Sequence, residues 1–333
     1  MTNIPPRSPA LHGDTYSMAI KNCESNPPWL VDNLLAEDAS FMLCSDGSVG
    51  KSTIAINAAA SMSAGTPVWN TFSCPKPLRV YYLIGERGIR EPLRRLKRIA
   101  TGGVVANPDN FWLSDSFAGT VNLLDEAHGE NLLATIARDC PQGPEVLILD
   151  PLYPFVAGAL SDDRTGNLLT RCFSRIKKAL GCALVITHHN VKYKVDDTGK
   201  QVRANLAYFG SVWLFNHVTT QYAVDRETAC RVVLKCTKDN WSCQLPLIAL
   251  DYNPDNDVVS MDLEMGPRKK SERVQTFLLE RKSKQMEFTK AELIAATGVC
   301  SSQLARIWTE PPWAGKIKNR AVNGKAGVFF IED

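Results

Sequence analysis

The stretch from Phe41 to Ser63 restricts this chain more than any other. Four apolar residues, Phe41-Met42-Leu43-Cys44, run into Ser45-Asp46-Gly47-Ser48-Val49-Gly50-Lys51-Ser52-Thr53, and an alanine-rich helical stretch follows from Ser52 to Ser63. A buried strand, a loop of small residues and a helix opening on Gly-Lys-Ser form a unit suited to phosphate. Loop and helix N–H groups surround the anion, the lysine reaches the β and γ oxygens, and the serine hydroxyl holds Mg²⁺. The spacing therefore implies ATP and Mg²⁺ bound across Ser45, Asp46, Gly47, Ser48, Val49, Gly50, Lys51, Ser52 and Thr53, with Ser52 on the metal. Ser45 departs from the pattern G-x-x-x-x-G-K-[ST] by replacing its first glycine, and Gly47 supplies flexibility instead. A chance glycine-rich turn is the competing reading; the strand before the loop and the helix after it argue against that.

Such a unit needs neighbouring strands, and apolar runs at Val80–Ile84, Val146–Leu149 and Ala183–Thr187 alternate with helix-length stretches at Glu91–Ala100 and Asn167–Leu180. This order implies an α/β fold, a mostly parallel sheet with helices on both faces. After Gly210 the pattern changes to strands without intervening helices, at Thr219–Val224, Cys230–Cys236 and Leu245–Tyr252, an antiparallel extension. Residues 1–28, rich in Pro, Ser and Asn, read as a flexible N-terminal arm, and residues 29–265 as the α/β domain. Gly266-Pro267-Arg268-Lys269-Lys270 reads as a linker opening a third unit, 266–333. There the pattern suggests helices at Ser271–Arg281 and Ser302–Trp308. A third opens at Thr289-Lys290-Ala291-Glu292, which has capping-box spacing, and a hairpin turns at Asn323-Gly324. Three helices and a basic hairpin make the plan of a small winged-helix-like domain.

Charge separates the same units. The net +3 comes from 38 Lys and Arg against 35 Asp and Glu; residues 266–333 hold 13 against 7, leaving 25 against 28 before them. A basic module on a near-neutral body points to phosphate or an acidic partner, or else is a solvated surface. With 44% hydrophobic residues, disorder is excluded. The most apolar stretch, Val146–Leu160, is broken by Asp150, Pro151 and Pro154, short of the roughly 18 residues of a membrane span. Ten cysteines with no CxxC pair and no signal-peptide core at the start read as reduced thiols in a cytoplasmic protein.

Three further strand ends carry chemistry. Val146-Leu147-Ile148-Leu149-Asp150 ends in a carboxylate placed to bind Mg²⁺ through water, the alternative being a turn cap before Pro151. Because Pro151 follows, the base that activates water must come from elsewhere. Glu86, just past Val80–Ile84, fits that role, with a surface ion pair to Arg87 or Arg90 as the alternative. Leu184-Val185-Ile186-Thr187 ends in His188 and His189, read as sensors of the γ-phosphate, as packing, or as a metal pair. Adjacent strand residues point to opposite faces, which disfavours the metal reading. The polar stretch after them, with Lys192, Lys194, Lys200 and Arg203, is either a solvated loop or a grip on single-stranded nucleic acid.

Taken in order, Phe41–Thr53, Gly65–Val68 leading to Glu86, Asp150-Pro151-Leu152, His188-His189 with Lys192, and Gly210-Ser211 resemble the RecA-fold ATPases of the plasmid RepA replicative-helicase type, relatives of the DnaB helicases. The resemblance covers roughly residues 29–250. It implies a RecA-like core, a hexameric ring of identical subunits with ATP between them, a base at Glu86, and central loops that grip single-stranded DNA. It also implies a Lys-x-Arg pair on a late strand, whose Arg reaches the neighbouring subunit's γ-phosphate. Here that stretch is Lys238-Asp239-Asn240, leaving Arg231, Lys235 and Lys238 as candidate trans-acting cations. In the C-terminal unit, Arg306, Lys316, Lys318 and Arg320 would meet duplex DNA, the alternative being a docked replication protein. Two functions from different classes remain open: an ATP-driven DNA motor of a plasmid, phage or mobile element, and an ATP-gated DNA-binding or assembly protein with slow hydrolysis. A metabolic kinase is a third, weakened by the basic tail and the absence of an evident small-substrate lid.

Overall fold

The computed structural model describes residues 28–86, 88–115, 119–160, 162–189, 194–195, 201–202, 212–240 and 247–262. In the C-terminal part it describes 274, 277–279, 281–282, 286–297, 317–322 and 325–331. The chain begins with a short antiparallel pair, β1 (Trp29–Val31) and β2 (Leu35–Ala36). The core follows as β3 (Ser40–Ser45), α1 (Lys51–Ala64), β4 (Val80–Ile84), α2 (Arg90–Thr101), β5 (Phe111–Ser114), α3 (Glu126–Asp139), β6 (Val146–Asp150), α4 (Asp163–Leu180) and β7 (Ala183–His189). After the two-residue strands β8 (Lys194–Val195) and β9 (Gln201–Val202) come α5 (Val212–His217), β10 (Thr220–Thr228), β11 (Arg231–Asp239), β12 (Leu247–Tyr252) and β13 (Val259–Met261).

One nine-stranded sheet organises these elements in the order β13-β12-β11-β10-β3-β7-β6-β4-β5. From β10 to β5 every pair is parallel, and from β10 to β13 every pair is antiparallel. The apolar run Val80–Ile84 is a strand over those same residues, and the stretch Asn167–Leu180 lies within the longer α4.

Strand alternation divides the core. Leu43, Tyr82, Ile84, Ile148 and Val185 lie in one apolar cluster, with Ile54 of α1. Met42, Cys44, Tyr81, Leu83, Leu147, Leu149 and Ile186 lie in the other, with Ile136 of α3 and Phe173 of α4. Each buried side chain of this size contributes about 1.5–3 kcal/mol. Two apolar faces explain why these strands read as continuous hydrophobic runs rather than alternating ones.

Two parts of the expectation need correction. The stretch after Gly210 is not free of helices, because α5 stands before β10. Its apolar run suits strand or helix. The helix is held by Lys238, which donates to the terminal carbonyls of Phe215 (2.9 Å) and Asn216 (3.0 Å), a long-range cap that sequence pattern does not display. Between Thr101 and Glu145, β5 and α3 escaped the reading. The first is a four-residue edge strand, and α3 buries only Gly129, Leu132 and Ile136.

In the C-terminal part, Thr289 caps α6 (Lys290–Thr297): its backbone N–H donates to Glu292 Oε2 at 2.6 Å, and the Glu292 N–H donates to Thr289 Oγ1 at 3.1 Å. Strands β15 (Ile317–Val322) and β16 (Lys325–Ile331) pair antiparallel beside β14 (Phe288–Thr289). Val274, Leu278, Phe288, Leu293 and Phe329 form a separate small core. The expected helix at Ser302–Trp308, the turn Asn323-Gly324, Arg306, Lys316, Lys192, Lys200 and Arg203 lie outside the described residues. Lys194 lies on β8, Lys318 and Arg320 on β15.

Among the described residues no helix is long and apolar enough to cross a membrane. Cys44, Cys74, Cys140, Cys172 and Cys182 are free and buried, whereas Cys230 is exposed.

Candidate nucleotide-binding site

At the carboxyl ends of β3, β7, β6 and β4 lies a cavity of about 300 Å³, walled by Ser48–Thr53, Tyr82, Glu86, Arg95, Asp150, Thr187, His189 and Arg226. Its floor follows from the first turn of α1. Helices α3 and α4 open on aspartates: Asp125 accepts the N–H of Ala127 at 2.9 Å, and Asp162 accepts that of Thr165 at 2.9 Å. Helix α1 opens on Gly50, without a side-chain cap. Its leading N–H groups thus have no side-chain acceptor, and they line a cavity sized for a ligand.

The loop's backbone explains why serine is tolerated at position 45. Left-handed torsions fall at Ser48 (φ 62°) and Gly50 (φ 111°), not at Ser45. Gly50 is required twice over, since a Cβ there would stand 2.4 Å from the Tyr252 hydroxyl. Ser45 also holds the lysine. Lys51 Nζ donates to Ser45 Oγ at 2.7 Å, to the Ser45 carbonyl at 3.2 Å and to the Asp46 carbonyl at 3.1 Å, and stands 3.5 Å from His189 Nδ1. Burial lowers the Lys51 pKa, opposed by Cys44, Asp150, Asp46 and Glu86. A desolvated ammonium with no carboxylate among its direct partners gains most from an incoming anion.

Asp150 is 7% exposed and accepts three side-chain hydrogen bonds. Ser52 Oγ donates to its Oδ1 at 3.0 Å, Thr187 Oγ1 to the same oxygen at 2.5 Å, and Tyr82 OH to Oδ2 at 2.5 Å. Burial first, then the Asp150 carboxylate, raises the Tyr82 phenol well above its ordinary pKa, so it remains a donor. A serine hydroxyl within hydrogen-bond reach of a carboxylate is a hard-oxygen pair that suits Mg²⁺ and fits that ion better than softer metals.

Glu86 reaches the cavity because Gly85 brings β4 against the end of β6. The Gly85 N–H donates to the Asp150 carbonyl at 2.8 Å, and a Cβ on Gly85 would stand 2.6 Å from the Pro151 carbonyl. Glu86 raises the pKa of the Tyr153 phenol, whose ring centroid lies 5.7 Å from that of His189. The two histidines separate as strand alternation requires: His189 lines the cavity, while His188, 1% exposed, does not. Among the described residues no cluster of His, Cys, Asp or Glu is arranged to hold a metal ion by itself.

The cations considered for a neighbouring site have partners within this chain. Arg231 bonds Glu227 (2.9 Å), Asp251 (3.0 Å) and Asp262 (2.6 Å) and is 5% exposed. Lys235 pairs with Asp225 at 2.8 Å with both side chains about half exposed, and Lys238 caps α5. Sequence reasoning missed Tyr82, Thr187, Tyr153, Arg95, Arg226 and Tyr252. For Tyr82 and Thr187 a signal existed, since each shares alternation parity with a residue that reaches the site, Ile84 before Glu86 and His189.

Residues 6–194 match the AAA domain family, more than half of the chain. No curated protein matches. Among solved structures, one described as a DnaB-like replicative helicase and its interactions with primase superposes at a TM-score of 0.52 with 12% identity. The match covers 73% of this chain and 66% of that one, just under two thirds of its length. The glycine-rich loop at the carboxyl ends of a RecA-like sheet and the family match over residues 6–194 agree: the chain belongs to the AAA domain family of P-loop ATPases.

Proposed function

We propose that the chain is an ATP-dependent DNA motor of the replicative-helicase kind. The observation that carries this reading is the convergence of Lys51, Ser52, Asp150, Glu86 and His189 on one cavity. Lys51 and the first N–H groups of α1 hold the β and γ phosphates; Ser52 and Asp150 hold Mg²⁺. When bound, that ion neutralises phosphate charge that develops during transfer. Tyr82 and Thr187 fix the Asp150 carboxylate. Glu86 accepts a proton from the attacking water. His189 meets the phosphate end of the ligand and links it to the chain that follows β7, while His188 supports the opposite face.

The rest of the proposal extends from that site. The segment carrying Lys192, Lys194, Lys200 and Arg203 grips single-stranded DNA inside a hexameric ring of identical subunits. Residues 29–265 form the motor unit. Residues 266–333 form a winged-helix-like module that uses Arg306, Lys316, Lys318 and Arg320 on duplex DNA or a replication protein. A mobile genetic element is the setting this activity suits.

A second reading, an ATP-gated assembly protein with slow turnover, has its own support: Asn240 is uncharged, and Arg231 and Lys238 are committed within the chain. Steady-state ATP hydrolysis with and without single-stranded DNA separates the two. A motor is stimulated by DNA and loses that turnover in Glu86→Gln. Tight ATP binding with negligible turnover in both conditions would replace it with the second reading.

A further inference from the structure

We propose that Arg226 is a phosphate-contacting cation supplied by the same chain that holds the nucleotide, in place of the charge missing at Asn240. This rests on the reading of the cavity as an ATP site. Strand β10 runs parallel to β3 with Ala223 opposite Cys44, so its last residues extend beside the phosphate loop. Arg226 lines the cavity there, and its Nη2 donates to the Ser48 carbonyl at 2.8 Å. The left-handed torsion at Ser48 (φ 62°) accompanies that turned-out carbonyl.

Charge balance sets Arg226 apart. The other arginine lining the cavity, Arg95, pairs with Glu91 at 3.1 Å. Arg231 and Lys235 also have carboxylates. Among the described residues Arg226 has no carboxylate within ion-pair distance, and its hydrogen bond goes to a backbone oxygen. A guanidinium carries five donors in a planar fork, so one neutral acceptor leaves most of its capacity for a planar array of anionic oxygens. Phosphate in the loop supplies those oxygens within the same wall of the cavity. The guanidinium leaves the Ser48 carbonyl, or shares it, and makes charge-assisted bonds to the ligand.

The test uses the full chain, with ATP affinity measured by calorimetry for the wild type, Arg226→Lys, Arg226→Gln and Arg226→Ala. Lys keeps the charge; Gln keeps a donor for the Ser48 carbonyl without charge. Expected is a loss of about tenfold in ATP affinity for Gln and Ala, partly recovered by Lys, which keeps the charge but not the planar fork, with unchanged melting temperatures. Gln binding ATP as the wild type does would mean that Arg226 only braces the loop, and would overturn the assignment. If the wild-type chain binds no ATP, the ATP reading and this inference fall together. Mixing Arg226→Ala with Lys51→Ala subunits tests whose site is served. Turnover that stays at the sum of the two supports a same-chain contact, and recovery toward the wild type would move Arg226 to the neighbour's site and overturn it.

Discussion

The parallel and antiparallel halves of the sheet use charge in opposite ways. In the parallel half, Lys51 sits at a cavity with carbonyls, a hydroxyl and an imidazole as its direct partners. In the antiparallel half, Arg231 is enclosed by three carboxylates, Lys235 is paired, and Lys238 closes a helix end. A cation with no carboxylate among its direct partners is placed to receive an anion; one given its carboxylates holds strands together. The difference teaches that residue type alone does not locate the site, and that the counter-charges built around it do.

The comparison breaks most visibly at Glu86. Replacing it with Gln should lower ATP turnover by about 10²–10⁴ while leaving ATP binding intact, measured by steady-state hydrolysis and calorimetry. Unchanged turnover would remove Glu86 from the chemistry. Arg231→Ala should instead act on stability. Removing it leaves Glu227 and Asp262, whose side chains are each 10% exposed, without their cation, at a cost of about 3–5 kcal/mol by urea unfolding. Normal stability with lost turnover would make that half of the sheet catalytic.

Tyr82→Phe stands between these extremes. It leaves Asp150 Oδ2 without the donor it now has, so stability should fall by about 1–3 kcal/mol and the Mg²⁺ concentration needed for nucleotide binding should rise. A Mg²⁺ titration that matches the wild type would limit Tyr82 to packing. The His217 imidazole, near α4 and β11, is held down to about 4, first by burial and then by Lys177 and Lys238. Its folded form binds fewer protons than the unfolded chain below the ordinary 6.5, so stability should decline as pH falls from 6.5 toward 4. His217→Gln should flatten that slope in melting curves taken across the window. Lys235→Ala should change stability by less than about 1 kcal/mol, because its pair with Asp225 is about half exposed.

Much of this arrangement was legible in the sequence. The run Val80–Ile84 is a strand over the same residues because both its faces are buried, and Gly-Lys-Ser marks the start of α1. Asp150, Glu86 and His189 were legible because each stands at or just past the end of an apolar run, where a parallel sheet gathers its strand ends. What sequence could not display was lateral order. Strand β7 lies between β3 and β6, which brings Thr187 to Asp150, and β10 lies against β3, which brings Arg226 to Ser48. These contacts join residues 37 and 178 positions apart, beyond any local period. Helix α5 was missed for the same reason, since its cap comes from Lys238, 23 residues beyond Phe215.

We propose that the cavity at the carboxyl ends of the parallel strands binds Mg-ATP through Lys51, Ser52 and Asp150. Calorimetric titration of ATP into the wild-type chain and into Lys51→Ala, each with and without Mg²⁺, tests it most directly. Binding strengthened by Mg²⁺ is expected in the wild type and lost in Lys51→Ala. Binding of equal strength in both proteins would contradict it.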